Sequence, residues 1–493
     1  MVDDEKKLGI TVKKEENFSE WYTQVCSEQG AKLADVRYGV QGFVVHRPWA
    51  FKILRKIYES LEKEVEADEH EPFLFPLVIK EENLQKEKEH AGFTPDVFWV
   101  TEAGDKKMEE RVALRPTGET QIYPMYSLWL RSYKDLPFKG YQSRIMVYRN
   151  EKTTRPFIRG REFMFFETHD VFLTHGEVIE QVRKDLEIAK KVIYDQLKIP
   201  FIFFKRPFWD KFKGADATYT PDTLMPDGKR NQLASTHDLG QNFSKAFDIK
   251  VKDKSGNDVY VWQTCFGPGI WRIMAALIAI HGDNNGLVLP FSFAPIQVII
   301  VPIIFNEKKS ESEKILKRCK EVKEILSGFE VKIDDSNNSP GFKFNQWEMF
   351  GVPIRIEIGP KEVKNKEITL VKRTDKKRMK IKINDLNKQI AKQASLLDSE
   401  IKLRADKYFI NNTKNAKDLN ELKEIIAVHR GFVRAPFCSV DIDGQKCAEI
   451  MKEETNGAYV CGTKFPKEEK VDSKTCIVCK KRAKHIVYIA KSY

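Results

Sequence analysis

YRNEKTTRPFIRGREFMFFETHD, residues 148–170, predicts a strand, a turn and a second strand. Phe163 and Phe165 alternate with their neighbours along the second strand, so one face of it would offer an aromatic platform. Planar guanidiniums held at a strand end can each bind two oxygens of a polyphosphate. The stretch therefore predicts a phosphate site, against the simpler alternative of a surface hairpin with salt-bridged arginines. The arginines that would form this site are Arg149, Arg159 and Arg161.

On both sides of this stretch the sequence shows helical and strand patterns, but they do not alternate regularly as in βαβ units. Helical spacing marks RPWAFKILRKIYESLEKEV at 47–65, where Phe51, Leu54, Ile57, Leu61 and Val65 would share the buried face. It also marks residues 176–197 and 271–282. Strand patterns mark FLFPLVI at 73–79, which Pro76 would confine to a sheet edge, and residues 144–149 and 162–173. This mixture predicts an α+β fold with an antiparallel sheet surrounded by helices.

The composition and the pattern of predicted helices and strands change twice along the chain, which predicts three modules. After residue 288 a buried strand at 297–304, a helix at 310–326 and further short strands alternate, as in an α/β domain. After about residue 405 the chain becomes polar, then short, Gly-interrupted and rich in cysteine. We therefore expect modules at 1–288, 289–405 and 406–493, in agreement with a length of 493 residues, which exceeds what one core usually serves.

Composition narrows the class of protein. Hydrophobic residues make up 41% and charged residues 32% of the chain, as in ordinary globular proteins. No apolar run approaches the roughly 20 residues of a membrane span, and no apolar segment follows the first charges as in a secretory signal. We therefore expect a cytoplasmic protein without a membrane partner. The net charge of +12 suits a nucleic-acid partner, although a solvated basic surface would produce it too.

Five of the eight cysteines lie beyond residue 437. Clustered cysteines in a reducing compartment bind metal more often than they form disulfides. A Cys-x₂-Cys pair with two upstream cysteines has the ligand count of a tetrahedral structural zinc site. Four ligands must come from five candidates, which are Cys438, Cys447, Cys461, Cys476 and Cys479.

Further blocks join the first module to the same chemistry. LRPTGETQIYP occupies 114–124, and NQLASTHDLGQNFSK occupies 231–245. TCFGPGIWR at 264–272 is a Gly- and Pro-rich loop running into an apolar helix, with Arg272 near the helix start. An arginine beside the free N–H groups of a helix start favours an anion.

Together these blocks resemble the class II aminoacyl-tRNA synthetases, and among them the prolyl-tRNA synthetases of the archaeal and eukaryotic-like type. FPLVI at 75–79 is similar to class II motif 1, residues 148–163 to motif 2, and GPGIWR at 267–272 to motif 3. EKEHAGFTPDVFWVT at 87–101 and LRPTGET at 114–120 resemble the proline-binding stretches. The resemblance spans almost the whole chain.

The resemblance implies a ligase that works in two steps. L-Proline and ATP would give prolyl-adenylate and pyrophosphate, and the prolyl group would then pass to the 3′ end of tRNA(Pro). It also implies an antiparallel class II catalytic domain at 1–288, an anticodon-binding domain at 289–405 and a small zinc-binding-like domain at 406–493. A homodimer follows from motif 1. Only about 100 residues separate motifs 2 and 3, too few for the editing insertion of bacterial relatives, so no cis-editing is expected.

The resemblance also assigns roles in the first module. Arg149 would bridge the proline carboxylate and the α-phosphate, and Arg149, Arg272 and Glu119 would be the catalytic residues. Phe165 stands where eukaryotic relatives carry tryptophan, Ser235 where the family usually has threonine, and Asp96 where relatives carry glutamate. The amino acid would contact Thr117, Glu119, Arg149, His237, Phe93 and Phe165. ATP would contact Arg149, Glu151, Arg159, Phe163, Gln232, Ser235 and Arg272.

Other assignments concern metals and tRNA. Mg²⁺ should accompany ATP, with Glu151 and Glu162 as possible helpers. Glu357 and Arg373 are candidates for reading guanines of the proline anticodon, near the basic stretch VKRTDKKRMKIK at 371–382. The family's knuckle pattern selects a Zn²⁺ set that leaves Cys461 spare. That set is Cys438, Cys447, Cys476 and Cys479.

Two alternatives remain open at the level of sequence. A non-catalytic RNA-binding relative could keep the fold, but it would not need Arg149, Arg272, Glu119 and Thr117 together. A class II synthetase for threonine or histidine is the other. Threonine enzymes use a zinc ion beside the amino acid, and the first module offers no evident Cys/His set of that kind. Histidine enzymes have a different substrate loop, and GFTPDVFWV at 92–100 favours proline.

Overall fold

The computed structural model describes residues 9–91, 96–304, 309–472 and 474–493. Its strands are β1 (Ala34–Asp35), β2 (Val45–His46), β3 (Glu71–Pro72), β4 (Val78–Lys80), β5 (Trp99–Ala103), β6 (Lys106–Leu114), β7 (Phe138–Tyr148), β8 (Glu162–Phe172), β9 (Ile202–Lys205), β10 (Ala217–Leu224), β11 (Arg230–Gln232), β12 (Ala234–Gly240), β13 (Lys250–Lys252), β14 (Asp258–Tyr260), β15 (Trp262–Pro268), β16 (Val298–Pro302), β17 (Val331–Ile333), β18 (Ile354–Ile358), β19 (Glu367–Lys372), β20 (Arg378–Lys382), β21 (Thr413–Asn415), β22 (Phe432–Phe437), β23 (Tyr459–Lys464) and β24 (His485–Ala490).

The helices cover the sheets and connect the modules. Two of them, α5 and α7, continue as π-helical segments at Lys190–Gln196 and Leu277–His281. The helices are α1 (Phe18–Cys26), α2 (Pro48–Ala67), α3 (Glu81–Ala91), α4 (Glu119–Trp129), α5 (His175–Ala189), α6 (Asn242–Ala246), α7 (Ile270–Ala276), α8 (Lys309–Ile325), α9 (Pro340–Met349), α10 (Pro360–Asn365), α11 (Leu386–Asn411), α12 (Leu419–Val428) and α13 (Gln445–Glu454).

A large sheet carries the candidate site. Within the described ranges twelve strands join it, in the order β21-β22-β24-β23-β9-β10-β12-β15-β8-β7-β3, with β11 paired to β10. The pairs β3/β7 and β21/β22 are parallel, and the others are antiparallel. The predicted antiparallel sheet is therefore confirmed, and strands from beyond residue 406 extend it.

One face of this sheet is the main core. Helices α2, α5 and α7 pack against it, and Met164 and Phe166 of β8 are buried there with Leu54, Ile57 and Trp271. Phe51 was predicted to share the buried face of α2, which is wrong: its side chain is 45% exposed, because the helix turns Ala50 and Ile53 inward instead.

The predicted strand at 73–79 is also wrong. Residues 73–77 form no strand: β3 ends just before them at the edge of the large sheet, and β4 follows them in a separate three-stranded sheet with β5 and β6. Pro72 and Pro76 lack the N–H donors that a continuous ladder would need. The Phe75 N–H donates instead to the Gln142 side chain at 3.1 Å.

The second module is a mixed five-stranded sheet in the order β17-β16-β18-β19-β20, with β16 parallel to β17 and β18. Its core contains Val298, Ile300, Ile354 and Ile356 from the strands and Ile315 from α8. This confirms the predicted α/β texture. Helix α11 runs through residue 405, so the chain crosses the proposed module boundary as continuous helix.

Candidate active site

The face of the large sheet opposite the main core forms the floor of a cavity. Strand register places His169 of β8 opposite Cys265 of β15, and Cys265 opposite His237 of β12. Because side chains alternate between faces, Phe163, Phe165 and Glu167 share this face with His169. Met164 and Phe166 point into the core, so the alternation predicted for β8 is confirmed.

The cavity measures about 330 Å³ and gathers the amino-acid-binding and ATP-binding residues predicted in the first module that the structure describes. Phe93 lies outside the described residues. The predicted residues that line the cavity are Thr117, Glu119, Arg149, Glu151, Arg159, Phe163, Phe165, Gln232, Ser235, His237 and Arg272.

Positive charge concentrates at one end of this cavity. Burial, together with the nearby guanidiniums of Arg149, Arg159 and Arg230, lowers the pKa of Arg272 to about 10. Such mutual repulsion is relieved when a polyanion binds between the cations. Residues from the β7–β8 connection and from the start of α7 thus converge to form an anion site.

Carboxylates occupy the other end. The Thr117 hydroxyl donates to the buried carboxylate of Glu119, at the start of α4. A side chain on Gly118, between these two residues, would overlap the Glu167 carboxylate, so only glycine allows this close approach. Glu119 and Glu167 are both almost fully buried, which favours a small cationic group beside them.

His237 lies between the two ends as a neutral ring. Its Nδ1 is 2.9 Å from the Thr218 hydroxyl and its Nε2 is 3.1 Å from the Ser235 hydroxyl. Burial lowers the pKa of His237 to about 4. The ring is therefore a hydrogen-bonding wall of the cavity and not a cation at neutral pH.

Two aromatic rings form a further wall of the cavity, and a glycine lies in its floor. The half-buried rings of Phe163 and Phe165 meet edge to face with centroids 6.2 Å apart. A side chain on Gly267 would lie 3.2 Å from the Phe165 ring, so glycine leaves this part of the floor open. A flat, apolar ligand such as a nucleobase fits beside these groups.

Arg206 was not predicted, although it lines the cavity. Its Nη2 donates to Asp222 at 2.8 Å and to the Gln232 amide oxygen at 3.0 Å, so it fixes the Gln232 side chain. Its Nη1 donates to the Cys461 carbonyl at 2.7 Å, which ties the third module to the site. No spacing in the sequence marks this arginine, because its partners come from three distant segments.

Arg159 also contacts the third module. Its Nη2 donates to the Tyr493 carbonyl at 2.9 Å, and its Nη1 lies 3.7 Å from the Glu151 carboxylate. Glu162 does not line the cavity, and its carboxylate accepts a hydrogen bond from the Tyr148 hydroxyl at 2.7 Å.

The two candidate anticodon readers lie in the second module and are engaged in ion pairs. Arg373 is buried, and its guanidinium donates to the Asp283 carboxylate at 2.6 and 2.8 Å. Glu357 lies 3.0 Å from Arg355 and 3.1 Å from Arg378. Arg373 would have to leave Asp283 to reach RNA, which weakens its assignment as a base reader.

The predicted four-cysteine set is brought together in the third module. The sulfur atoms of Cys438, Cys447, Cys476 and Cys479 lie within 4.8 Å of one another. Cys461 lies elsewhere, buried between β9 and β24 neighbours such as Phe204 and Tyr488.

The first module holds a second group of potential metal ligands, which the sequence did not reveal. A carboxylate oxygen of Glu119, a ring nitrogen of His169 and Sγ of Cys265 lie within 4.8 Å of one another. Residues 119, 169 and 265 are so far apart in sequence that their spacing gave no sign of this cluster.

The chain matches three family models in succession. Residues 98–281 match the tRNA synthetase class II core domain (G, H, P, S and T), residues 297–393 the anticodon binding domain, and residues 419–493 the prolyl-tRNA synthetase C-terminal domain. No helix among the described residues has the length and apolar character needed to cross a membrane.

Relatives are similar over almost the full chain. The proline–tRNA ligase of Thermofilum pendens is 51% identical, covering 98% of this chain and 99% of its own. That of Methanopyrus kandleri is 41% identical, with coverages of 97% and 96%. The structure of Giardia lamblia prolyl-tRNA synthetase in complex with prolyl-adenylate is 34% identical with a TM-score of 0.93, covering 98% of this chain and 100% of that one.

Proposed function

The chain belongs to the prolyl-tRNA synthetase family of class II aminoacyl-tRNA synthetases, and we propose which of its residues carry out the ligation of proline to tRNA. The observation that carries the proposal is the convergence of Arg149, Arg159 and Arg272 on one cavity whose other end holds Thr117 and Glu119. Three guanidiniums beside a small carboxylate pocket suit the triphosphate of ATP and an amino acid bound end to end.

The cationic end would hold ATP. Arg149 bridges the α-phosphate and the proline carboxylate, while Arg159 and Arg272 bind the outer phosphates. Adenine stacks on Phe163, and the ribose side meets Gln232, whose amide Arg206 fixes, and Ser235. These roles use the bidentate geometry of guanidinium and the flat face of an aromatic ring.

The carboxylate end would hold proline. Glu119 and the Thr117 hydroxyl receive the imino nitrogen, which arrives as a cation. His237 and Phe165 wall the pyrrolidine ring, and Phe93 is proposed for the same wall from the sequence alone. The neutral state of His237 supports this place, because a charged imidazole would repel the imino group.

The first step is a displacement at phosphorus. A carboxylate oxygen of proline attacks the α-phosphorus of ATP, the bond to the β-phosphate oxygen breaks, and pyrophosphate leaves. In the second step a hydroxyl of the terminal ribose of tRNA attacks the prolyl carbonyl carbon, and AMP leaves. The protein contributes positioning and charge neutralisation, and no enzyme nucleophile takes part.

Two metals enter the proposal. Mg²⁺ would accompany ATP and neutralise its phosphates when bound, and the cavity residue Glu151 is the better placed of the two candidate helpers. Four cysteine sulfurs in one cluster fit a tetrahedral Zn²⁺ whose role is structural. Cys438, Cys447, Cys476 and Cys479 would hold it.

The partners are tRNA(Pro) and a second copy of the chain, acting in the cytoplasm. Apolar side chains around the motif 1 stretch support a homodimer: Leu74 is 86% exposed, and Leu77 and Val78 are exposed beside it. Glu357 remains our candidate for an anticodon contact. The β8–β15 connection is filled by α5, α6 and β9 to β14, which supports the absence of a cis-editing domain.

The proposal is tested by ATP–pyrophosphate exchange with each of the twenty amino acids. We expect proline-dependent exchange that falls by at least about a hundredfold in Arg149→Ala, the magnitude typical for loss of a transition-state charge contact. Arg144→Ala is the matched control, because Arg144 lies on β7, which Arg149 directly follows, but pairs with Glu62 outside the cavity. Exchange that does not depend on proline, or an equal loss in both variants, would contradict the proposal.

A further inference from the structure

A cluster of three different metal-ligating groups lies at the carboxylate end of the cavity, and the two-step reaction does not use all of it. Ligand atoms of Glu119, His169 and Cys265 lie within 4.8 Å of one another, a spacing that one ion can bridge. Cys265 has no role in the proposed binding of proline or ATP. The cluster therefore calls for its own explanation.

The fold holds the cluster in place. Cys265 and His169 are register partners on β15 and β8, and the Cys265 sulfur is 3.9 Å from His169 Nε2. Glu119 begins α4, and Tyr123, one turn later, places its hydroxyl 3.0 Å from His169 Nδ1. The Tyr123 hydroxyl at Nδ1 orients the ring so that Nε2 faces both Cys265 and the Glu167 carboxylate, and an ion bound there would take the place of the Nε2 proton.

The cluster is accessible and lies in a field that favours cations. Glu119 and Cys265 line the cavity, so an ion can reach them by the route that proline would take. Glu167, whose carboxylate is 3.2 Å from His169 Nε2, also lines the cavity and adds a second buried carboxylate. A thiolate, an imidazole and a carboxylate are ligands of Zn²⁺, whereas Mg²⁺ prefers oxygen alone.

We propose that Glu119, His169 and Cys265 form an inhibitory binding site for Zn²⁺ at the place of the proline imino group. Glu167 or water completes the coordination. The inference rests on the proposed role of Glu119, since a carboxylate that coordinates the ion cannot also receive the imino nitrogen. Zn²⁺ and proline therefore exclude each other.

The test combines metal binding with kinetics on the full chain. Calorimetric titration with ZnCl₂ should show one more bound equivalent in wild type than in Cys265→Ser, because the four-cysteine cluster contributes equally to both. In pyrophosphate exchange at saturating Mg·ATP, Zn²⁺ should raise the apparent KM for proline and leave the rate at saturating proline unchanged. Cys265→Ser should weaken the inhibition at least about tenfold, since even an outer partner of a ligand contributes that much.

Controls separate the possible failures. Cys319→Ser removes a buried thiol in the core of the second module and should behave as wild type. His169→Gln provides a second lesion if Cys265→Ser does not fold. Equal Zn²⁺ stoichiometry in wild type and Cys265→Ser, or inhibition that Cys479→Ser abolishes, would overturn the metal site. Cys265-dependent binding without competition by proline would instead overturn the proposed place of the imino group.

Discussion

Gly118 shows how one residue can determine the geometry of the proline pocket. It sits between Thr117 and Glu119, and any side chain there would overlap the Glu167 carboxylate. The sequence block 114–120 indicated that this loop matters, but it could not show why a glycine is needed. The reason lies in β8, about 50 residues later, whose carboxylate occupies the space in front of Gly118.

We therefore expect Gly118→Ala to impair proline activation. The methyl group must push apart Thr117–Glu119 and Glu167, and overpacking of this kind costs about 1–3 kcal/mol. The KM for proline in pyrophosphate exchange should rise by about tenfold or more. Gly341→Ala is the control, because a Cβ there meets open space. An unchanged KM for proline in Gly118→Ala would show that this loop does not shape the pocket.

Residues with local signals were predictable, and those with distant partners were not. Arg149, Arg159 and Arg272 stand beside recognisable turns and a helix start, and all three line the cavity. Arg206 and Cys265 were missed, because their neighbours in the cavity come from other strands of the sheet. Pairing register, which places Cys265 between His169 and His237, cannot be read from one strand alone.

At the scale of elements, periodicity predicted β8 and α2 well and failed at 73–79. A run of apolar residues there suggested a strand, but the two prolines leave only short pairings at either end. Leu74 in this run is exposed, which agrees with the second copy of the chain proposed above.

The junction of α2 with β8 contains a buried ion pair that makes stability depend on pH. His70 Nδ1 lies 3.0 Å from the Val65 carbonyl and Nε2 lies 3.1 Å from the Asp170 carboxylate, so both nitrogens face acceptors and both carry protons. Burial alone would lower the pKa of His70, but Asp170 raises it to about 9. Asp68 and Asp185 also face this ring.

The pKa of His70 is higher in the folded protein than in the unfolded chain, where it is near 6.5, so the protonated ring stabilises the fold. This stabilisation is complete below pH 6.5 and is lost as the pH rises through about 9. We expect the free energy of unfolding to fall by on the order of 2 kcal/mol between pH 6.5 and 9.5. His70→Gln should be less stable at pH 6.5 and should lack this component of the slope. Parallel pH profiles for the two proteins would contradict the assignment.

At the scale of the whole molecule, charged contacts hold the first two modules together near the end of the α7 segment. Arg373 binds Asp283, and Arg404 donates to the His281 carbonyl. Within the first module, Lys14 donates to the Gly282 carbonyl of the same segment at 2.7 Å, and burial lowers the pKa of Lys14 to about 7. Arg272 of the cavity lies in the first turn of α7, at the other end of this segment, so module packing bears on the nucleotide site.

We expect Arg373→Met to lower the free energy of unfolding by about 2 kcal/mol, because Asp283 loses its ion-pair partner. The cost is moderate because the Asp283 side chain is partly exposed. In a double-mutant cycle with Asp283→Asn, the second substitution should add little to the first. The exposed pair Lys423–Glu454 is the control and should couple by less than about 1 kcal/mol. Thermal unfolding of the wild type, the two single variants and the double variant measures the coupling. Additive effects of the two substitutions would contradict an energetic coupling between Arg373 and Asp283.

The third module should depend on its metal. We expect the purified chain to hold one tightly bound zinc in the four-cysteine cluster and Cys479→Ser to lose most of it, with a lower unfolding temperature. Cys461→Ser keeps all four proposed ligands and should retain the zinc. If metal analysis shows equal zinc content in Cys479→Ser and Cys461→Ser, the zinc is not bound by the four-cysteine cluster.

The order of the three modules was predictable, because each has its own pattern of composition and secondary structure. The sheet that the first and third modules share was not predictable. Strands β21 to β24 continue the sheet of the first module through the β23–β9 pair, and a pairing between segments more than 250 residues apart leaves no local pattern.

The most direct measurement is a crystal structure of the full chain with a non-hydrolysable prolyl-adenylate analogue. We predict its phosphate beside Arg149, its adenine on Phe163 and its imino nitrogen within hydrogen-bond distance of Glu119. An analogue bound elsewhere, or bound in this cavity with its imino group away from Glu119, would contradict the account.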